Sequence, residues 1–272
     1  MITGGSSGIG LAIAKSVASA GAITILVARG VEALEKAKTE ITNSGYQAHI
    51  YSADLSDTDA LEELVRSIQS DHGAIDILIN NAGRSIRRSV EASFDRFHDF
   101  ERTMQLNYFG ALRMTLLVLP AMVKQGFGQV INISSIGVQI NSPRFSAYVA
   151  SKAALDAFTR VAAAEFAKDS IRFTTVSMPL VRTQMIAPSE FSRRVPTISA
   201  ELAASIVTKA IIRQPKRVST RLGWLAQVVY FLFPNSTQIG LSRSFRSSRD
   251  SAAARGFVKS ESRRTKKDGD SD

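Results

Sequence analysis

Five short apolar runs, at residues 22–28 (AITILVA), 48–53 (AHIYSA), 75–80 (IDILIN), 129–134 (QVINIS) and 171–177 (IRFTTVS), alternate along the chain with longer stretches of helical periodicity. Each run is apolar at nearly consecutive positions, the pattern of a strand buried on both faces in a parallel sheet. The segments at 32–43, 57–71, 99–124 and 146–168 read as helices. Strand alternating with helix predicts an α/β fold, a doubly wound parallel sheet with helices on both faces. In such sheets ligands bind beyond the carboxyl ends of the strands.

A glycine-rich turn opens the chain, TGGSSGIG at 3–10, followed by a helical pattern at 11–20. Backbone N–H groups and the dipole of a helix N-terminus make a phosphate site there, and glycines let a pyrophosphate approach. The candidate contacts are Gly4, Ser6, Ser7, Gly8, Ile9 and Gly10. The competing reading of the turn, taken alone, is a purely structural one. With the alternating pattern it points to a single Rossmann-type sheet. A central strand of about five residues should precede such a turn, but only Met1 and Ile2 do. The first strand is therefore expected to be largely missing, with the start internal to a longer protein or an initiation site wrongly assigned.

Composition removes several chemistries. The 272 residues contain no cysteine, which excludes disulfides, zinc ribbons, iron–sulfur clusters and a cysteine nucleophile. The three histidines, His49, His72 and His98, share no metal-ligand spacing, so no metal is expected. No charged, then apolar, leader opens the chain and no apolar run reaches the roughly 20 residues of a membrane span, which makes a cytoplasmic protein the default. The 34 basic and 24 acidic residues leave a net charge of +10. Residues 242–272 hold nine Lys and Arg against five acids with few large apolar groups, and are expected to be a disordered basic tail after a domain at 1–241. The competing reading of the tail is a contact with RNA or anionic lipid.

Tyr148 and Lys152 stand four residues apart in a helical segment, so phenol and ammonium share one face. A nearby cation would lower the phenol pKa toward a range useful for proton transfer. The bland alternative is a pair of surface residues. The ordered set TGGSSGIG, Asp54-Leu55, Asn80-Asn81-Ala82-Gly83, Asn107, Ser135 and Tyr148/Lys152 resembles the short-chain dehydrogenase/reductase family over residues 1 to about 220, with Ser135 thirteen positions before Tyr148. The resemblance implies that Tyr148 donates a proton to the substrate oxygen, Ser135 positions that oxygen, Lys152 holds the nicotinamide ribose, Asn107 holds a water in the proton relay, and Asp54 and Leu55 border the adenine. It implies cofactor contacts from Asn81, Ala82 and Gly83. It also implies one from Thr183, although Met178-Pro179 replaces the usual Pro-Gly upstream. Arg29 follows the run at 22–28, the second strand of the expected sheet, at the position where NAD enzymes carry an acid, which favours NADPH over NADH. A second basic marker of that preference is absent, since Ser7 occupies its position.

The stretches at 80–110, 144–159 and 178–188, including GRSIRR at 83–88, further resemble bacterial fatty acyl-coenzyme A reductases of short-chain dehydrogenase type. That likeness implies NADPH-dependent reduction of a long-chain fatty acyl-CoA to an aldehyde, with hydride attacking the thioester directly because no cysteine can form an acyl-enzyme. Arg84, Arg87, Arg88, Arg182, Arg193 and Arg194 are candidates for coenzyme A phosphates, each weighed against a solvated surface arginine. The apolar run at 222–233 is too short to span a bilayer and suits core or subunit packing, an acyl tunnel or a lipid surface. A homo-oligomer is expected, and peripheral membrane contact stays open. Two other readings remain. One is an NADPH-dependent ketone or alcohol dehydrogenase of the same family on a lipid-like carbonyl. The other is a non-catalytic interaction domain whose tail binds nucleic acid or membrane, although no RNA-binding aromatic motif accompanies the charge.

Overall fold

The computed structural model describes residues 1–183 and 196–247. Seven parallel strands form one sheet in the order β3-β2-β1-β4-β5-β6-β7. They are β1 Ile2–Thr3, β2 Thr24–Ala28, β3 Ala48–Ser52, β4 Ile77–Asn80, β5 Gly128–Ser135, β6 Ile171–Met178 and β7 Arg217–Val218. The helices are α1 Gly8–Ala18, α2 Val31–Thr42, α3 Ala60–His72, α4 Phe97–Met104, α5 Ala111–Gln125, α6 Ile136–Gln139, α7 Ser146–Glu165, α8 Ala200–Arg213, α9 Arg221–Leu232 and α10 Pro234–Ser247. All five strands expected from the apolar runs are present. β1 is only two residues long, yet it occupies the centre of the sheet, with Ile2 opposite Leu26 on one side and Ile79 on the other. The chain winds outward from β1 in both directions, so β1 and β4 flank the switch point where a ligand crevice opens.

The strands read as continuous apolar runs because both faces are covered. Leu26 packs with Ile13, Leu34, Ile41 and Val207 on the side of α1, α2 and α8. Its neighbours Ile25 and Val27 point to the opposite face, among Leu61, Val65, Met114 and Met122 from α3 and α5. Leu26 and Leu78 are both 0% exposed, and each such side chain contributes about 1.5–3 kcal/mol through burial. Helix α8, which the sequence reading left unassigned, begins at Ser199, whose hydroxyl accepts the Leu202 N–H at 3.2 Å. Its buried Ala203, Ala204, Val207 and Ala210 recur on one face, and Ser16 of α1 meets Thr208 of α8 at 2.9 Å between hydroxyl oxygens.

Two expected boundaries change. The helix expected at 99–124 is not uniform: α4 and α5 are joined by a π-helical segment, Gln105–Gly110. Among the described residues, Phe97–Gln125 is helical throughout and is long and apolar enough to cross a membrane by length and composition. Asp99, Glu101, Arg102, Arg113 and Lys124 leave no uninterrupted apolar run in it, which is why the sequence showed the helix but no stretch of span length, and Met114, Val118, Leu119 and Met122 are packed against the sheet. At the other end, α10 extends to Ser247. Residues 242–247 are therefore helical rather than part of a disordered tail, because α10 continues the turn of helix begun at Pro234. The remainder of that tail, 248–272, lies outside the described residues, as do Arg193 and Arg194.

Candidate active site

The glycine turn joins β1 to α1. Gly4 has φ 64° and Gly8 φ 55°, the left-handed region where a side chain is strained. Gly10 is required for a different reason: a Cβ there would collide with the Gly4 carbonyl oxygen and stand 2.6 Å from Asn81 Nδ2. The segment after β4 fastens this turn in place. Thr3 Oγ1 accepts the N–H groups of Asn81 at 3.0 Å and Ala82 at 3.1 Å. Asn81 Nδ2 donates to the carbonyl oxygens of Thr3 at 3.0 Å and Gly4 at 3.2 Å. Beneath it, Asn80 donates to Asn132 Oδ1 at 2.9 Å and to Thr115 Oγ1 at 3.0 Å, tying β4 to β5 and α5.

A cavity of about 1610 Å³ lies over the carboxyl ends of the strands. Gly4, Ser6, Ser7, Gly8, Ile9, Arg29, Asp54, Leu55, Asn81, Ala82, Gly83, Ser135, Tyr148, Lys152 and Thr183 all line it. Arg29 Nη1 lies 3.9 Å from Asp54 Oδ2 at the β2 end, both side chains solvent-accessible, and Lys36 of α2 lines the same end. Thr183 reaches the glycine turn, its Cγ2 being 3.3 Å from where a Cβ on Gly8 would sit. The narrow glycine cradle, the helix N-terminus behind it and the cationic Arg29 end fit an elongated, phosphate-bearing dinucleotide.

Ser135 ends β5 and caps α6, its Oγ accepting the Gly137 N–H at 3.0 Å. That leaves its hydroxyl proton for Tyr148, with which it forms a side-chain hydrogen bond. Lys152, one turn along α7, is 4% exposed and its Nζ donates to the Ile133 carbonyl at 2.8 Å. Burial lowers its pKa to about 8. The expected lowering of the Tyr148 pKa by Lys152 is corrected by this geometry. Burial pushes the phenol up, and the opposing influence is the Ser135 hydrogen bond; the ammonium is directed at the main chain of β5.

The ammonium form of Lys152 dominates below pH 8 and the neutral amine above it, because desolvation disfavours the charge. Dinucleotide affinity is therefore expected to weaken above about pH 8, by up to about tenfold per pH unit. Lys152→Met should bind weakly and without that transition. Fluorescence titration of both proteins across this range measures it, and an identical pH profile in the variant would rule Lys152 out as its source.

Asn107 lies in the π segment and is 0% exposed. Its Oδ1 accepts the Arg84 N–H at 2.8 Å, and its Nδ2 donates to the Arg84 carbonyl at 2.9 Å and to Ser151 Oγ at 3.0 Å. The side chain thus anchors the loop after β4 to α7, beside the cavity and not on its surface.

The arginines separate into groups. Arg87 and Arg182 line the cavity, and Arg84 does not. Arg88 is corrected as a phosphate candidate: its Nε is 3.2 Å from Asp99 Oδ2, and its side chain is 16% exposed. Asp99 also holds Arg96 at 3.4 Å, His98 at 3.4 Å and Arg102. The spacing of Arg96, Asp99 and Arg102 by three residues could have been read from the sequence as one helical face; the arrival of Arg88 from a loop could not.

The sheet, the glycine cradle and the Ser135–Tyr148–Lys152 cluster define a dinucleotide-binding oxidoreductase. The model of the short chain dehydrogenase family matches residues 1–193, and the chain belongs to the short-chain dehydrogenase/reductase family, whose members use a nicotinamide cofactor. It is 55% identical over 256 residues to a fatty acyl-CoA reductase of Acinetobacter baylyi, covering 94% of this chain and 87% of that protein. It is 42% identical over 223 residues to a fatty acyl-CoA reductase of Mycobacterium tuberculosis, covering 82% of this chain and 76% of that one. Among solved structures, a variant of actinorhodin polyketide ketoreductase with NADPH superposes with a TM-score of 0.75 at 27% identity, covering 83% of this chain and 95% of that one.

Proposed function

We propose that this protein reduces long-chain fatty acyl-CoA to the fatty aldehyde, with NADPH as reductant, in the cytoplasm and as a homo-oligomer. The observation that carries the reading is the clustering of Ser135, Tyr148 and Lys152 on the wall of the dinucleotide-sized cavity, in a chain so similar to a fatty acyl-CoA reductase. Arg29 and Lys36 on the cavity lining support a 2′-phosphate on the adenosine ribose, as guanidinium and ammonium groups attract one. Gly4, Ser6, Ser7, Gly8 and Ile9 would hold the pyrophosphate, with Gly10 packed behind them against Gly4 and Asn81 and not on the cavity wall, and Lys152 and Thr183 would hold the nicotinamide end.

The nicotinamide, when bound, supplies a hydride to the thioester carbonyl carbon. Ser135 donates a hydrogen bond to the carbonyl oxygen as negative charge develops on it, and Tyr148 transfers its proton to that oxygen. The burial that raises the Tyr148 pKa keeps the phenol protonated before the reaction, as an acid must be. The resulting thiohemiacetal loses the coenzyme A thiolate, which takes up the hydroxyl proton, so one acyl-CoA, one NADPH and one proton give one aldehyde, one free thiol and NADP. With no cysteine anywhere in the chain, no acyl-enzyme through sulfur enters this route. Arg87 and Arg182, which line the cavity, would meet the coenzyme A phosphates.

The likeness to a polyketide ketoreductase favours one second reading, a ketone reductase using the same residues. Incubation with palmitoyl-CoA and NADPH, and in parallel with NADH, separates them. Fatty aldehyde and free thiol in equal amounts, faster with NADPH, are expected. Inertness toward acyl-CoA together with turnover of a lipid-like ketone would overturn the thioester reading.

A further inference from the structure

The two C-terminal helices present their apolar residues outward. Of the twelve residues of α9 only Gly223 is buried, and the helix is attached to the domain by polar contacts. Gln227 Oε1 accepts from Arg217 at 3.1 Å and from Gln139 at 3.4 Å, and Thr220 Oγ1 caps the Gly223 N–H at 3.0 Å. Helix α10 is held where the Arg144 guanidinium lies 4.2 Å over the Phe245 ring and donates to the Phe245 carbonyl at 3.3 Å. Leu222, Trp224 (61% exposed), Leu225, Phe231 (82% exposed), Leu232 and Phe233 are left facing solvent. A surface helix of a globular protein normally turns such residues inward.

The charge on this region has one sign. Residues 202–247 contain no Asp or Glu; Arg217 is taken up by Asp156 at 2.6 Å, and Arg221, Arg243 and Arg246 lie on the two helices. Exposed Trp, Tyr and Phe with arginines and no acid form the composition of a helix lying in a bilayer interface, where rings sit among the headgroups and guanidiniums meet lipid phosphate. The same face is unsuited to pairing with a second copy of itself. An isologous contact sets each patch against its twin and would oppose arginines with no carboxylate to receive them.

We propose that the α9–α10 hairpin docks the protein onto a membrane surface of anionic phospholipid. The base of the hairpin is continuous with the active-site cavity, since Thr220 and Leu222 line it, so docking places the cavity mouth at the lipid. Docking does not depend on the acyl-CoA reading and is tested without any substrate.

Trp224 is the single tryptophan of the chain, so its emission reports insertion directly. The full chain is sedimented with vesicles of phosphatidylcholine alone and of phosphatidylcholine mixed with phosphatidylglycerol. The expected result is binding that needs phosphatidylglycerol, weakens with salt and shifts Trp224 emission to the blue. Leu225→Asp with Phe231→Asp should weaken binding by at least about tenfold while leaving the circular dichroism spectrum and acyl-CoA turnover in detergent-free buffer unchanged. Unaltered vesicle binding by that variant, absence of a blue shift, or a blue shift that follows protein self-association without lipid would each overturn the proposal.

Discussion

Tyr148→Phe is expected to lower kcat for reduction by about 10³-fold, within the range that positioned general acids contribute, while the NADPH dissociation constant changes by less than about twofold. The ring stays, so packing in α7 is kept, and Lys152 keeps its bond to Ile133. Only the proton and the partner of Ser135 are lost. Stopped-flow measurement of NADPH oxidation, paired with fluorescence titration of the cofactor, reads the two effects apart. Turnover within tenfold of the parent protein would remove Tyr148 from the chemistry, and a parallel loss of cofactor affinity would recast it as a binding residue.

The largest stability effect is expected at a residue that touches no substrate. Asp99 is 2% exposed and gathers the guanidiniums of Arg88, Arg96 and Arg102. Burial pushes its carboxyl pKa up, but the arginines together outweigh this and hold it below the usual aspartate range. Asp99→Ala leaves the inward-facing Arg88 without its carboxylate, and losing one side of a buried ion pair costs about 3–5 kcal/mol. At roughly 2–4 °C per kcal/mol for a domain of this size, the melting temperature should fall by roughly 6–20 °C. The sign with pH follows from the depressed pKa: the contribution is complete above the unfolded aspartate pKa and disappears as pH falls through the folded one. Thermal melts at neutral pH should therefore separate variant and parent widely, and melts at acidic pH should bring them together. A pH-independent difference would mean that packing, not charge, is what Asp99 provides.

The strands were legible because burial on both faces leaves an uninterrupted apolar run, as in TILVA of β2, and such a run survives without knowledge of its neighbours. β1 was legible only through the glycine turn that must follow it, and β7 was not legible, since two residues cannot display a period. Helix α8 carries its signals in Ser199 and the spacing of Ala203, Val207 and Ala210, but alanine is a weak marker of a face. At the site, the glycine turn and the Tyr148/Lys152 pair were legible from spacing, Ser135 came with the family resemblance, and the fold brings them to one cavity. Their electrostatics were not legible. An interval of four residues says that two side chains share a face, whereas the direction of a pKa shift depends on desolvation and on which carbonyl the ammonium finds. Arg88 shows the same limit: GRSIRR reads as a cationic loop until the loop is seen to fold back on an acid from α4.

The π segment at Gln105–Gly110 constrains how this region can change in length. An α-helical residue turns the chain by about 100°, and a π turn takes up about one residue more than an α turn, so the extra residue is absorbed within the segment and α5 leaves it in phase with α4. Removing one residue there would restore a regular helix with Met114, Val118 and Met122 still facing the core. The loss would fall instead on the site, where Asn107 ties the loop after β4 to α7 through Arg84 and Ser151. A single-residue deletion between Met104 and Ala111 should therefore leave a folded protein whose loop after β4 has lost its anchor.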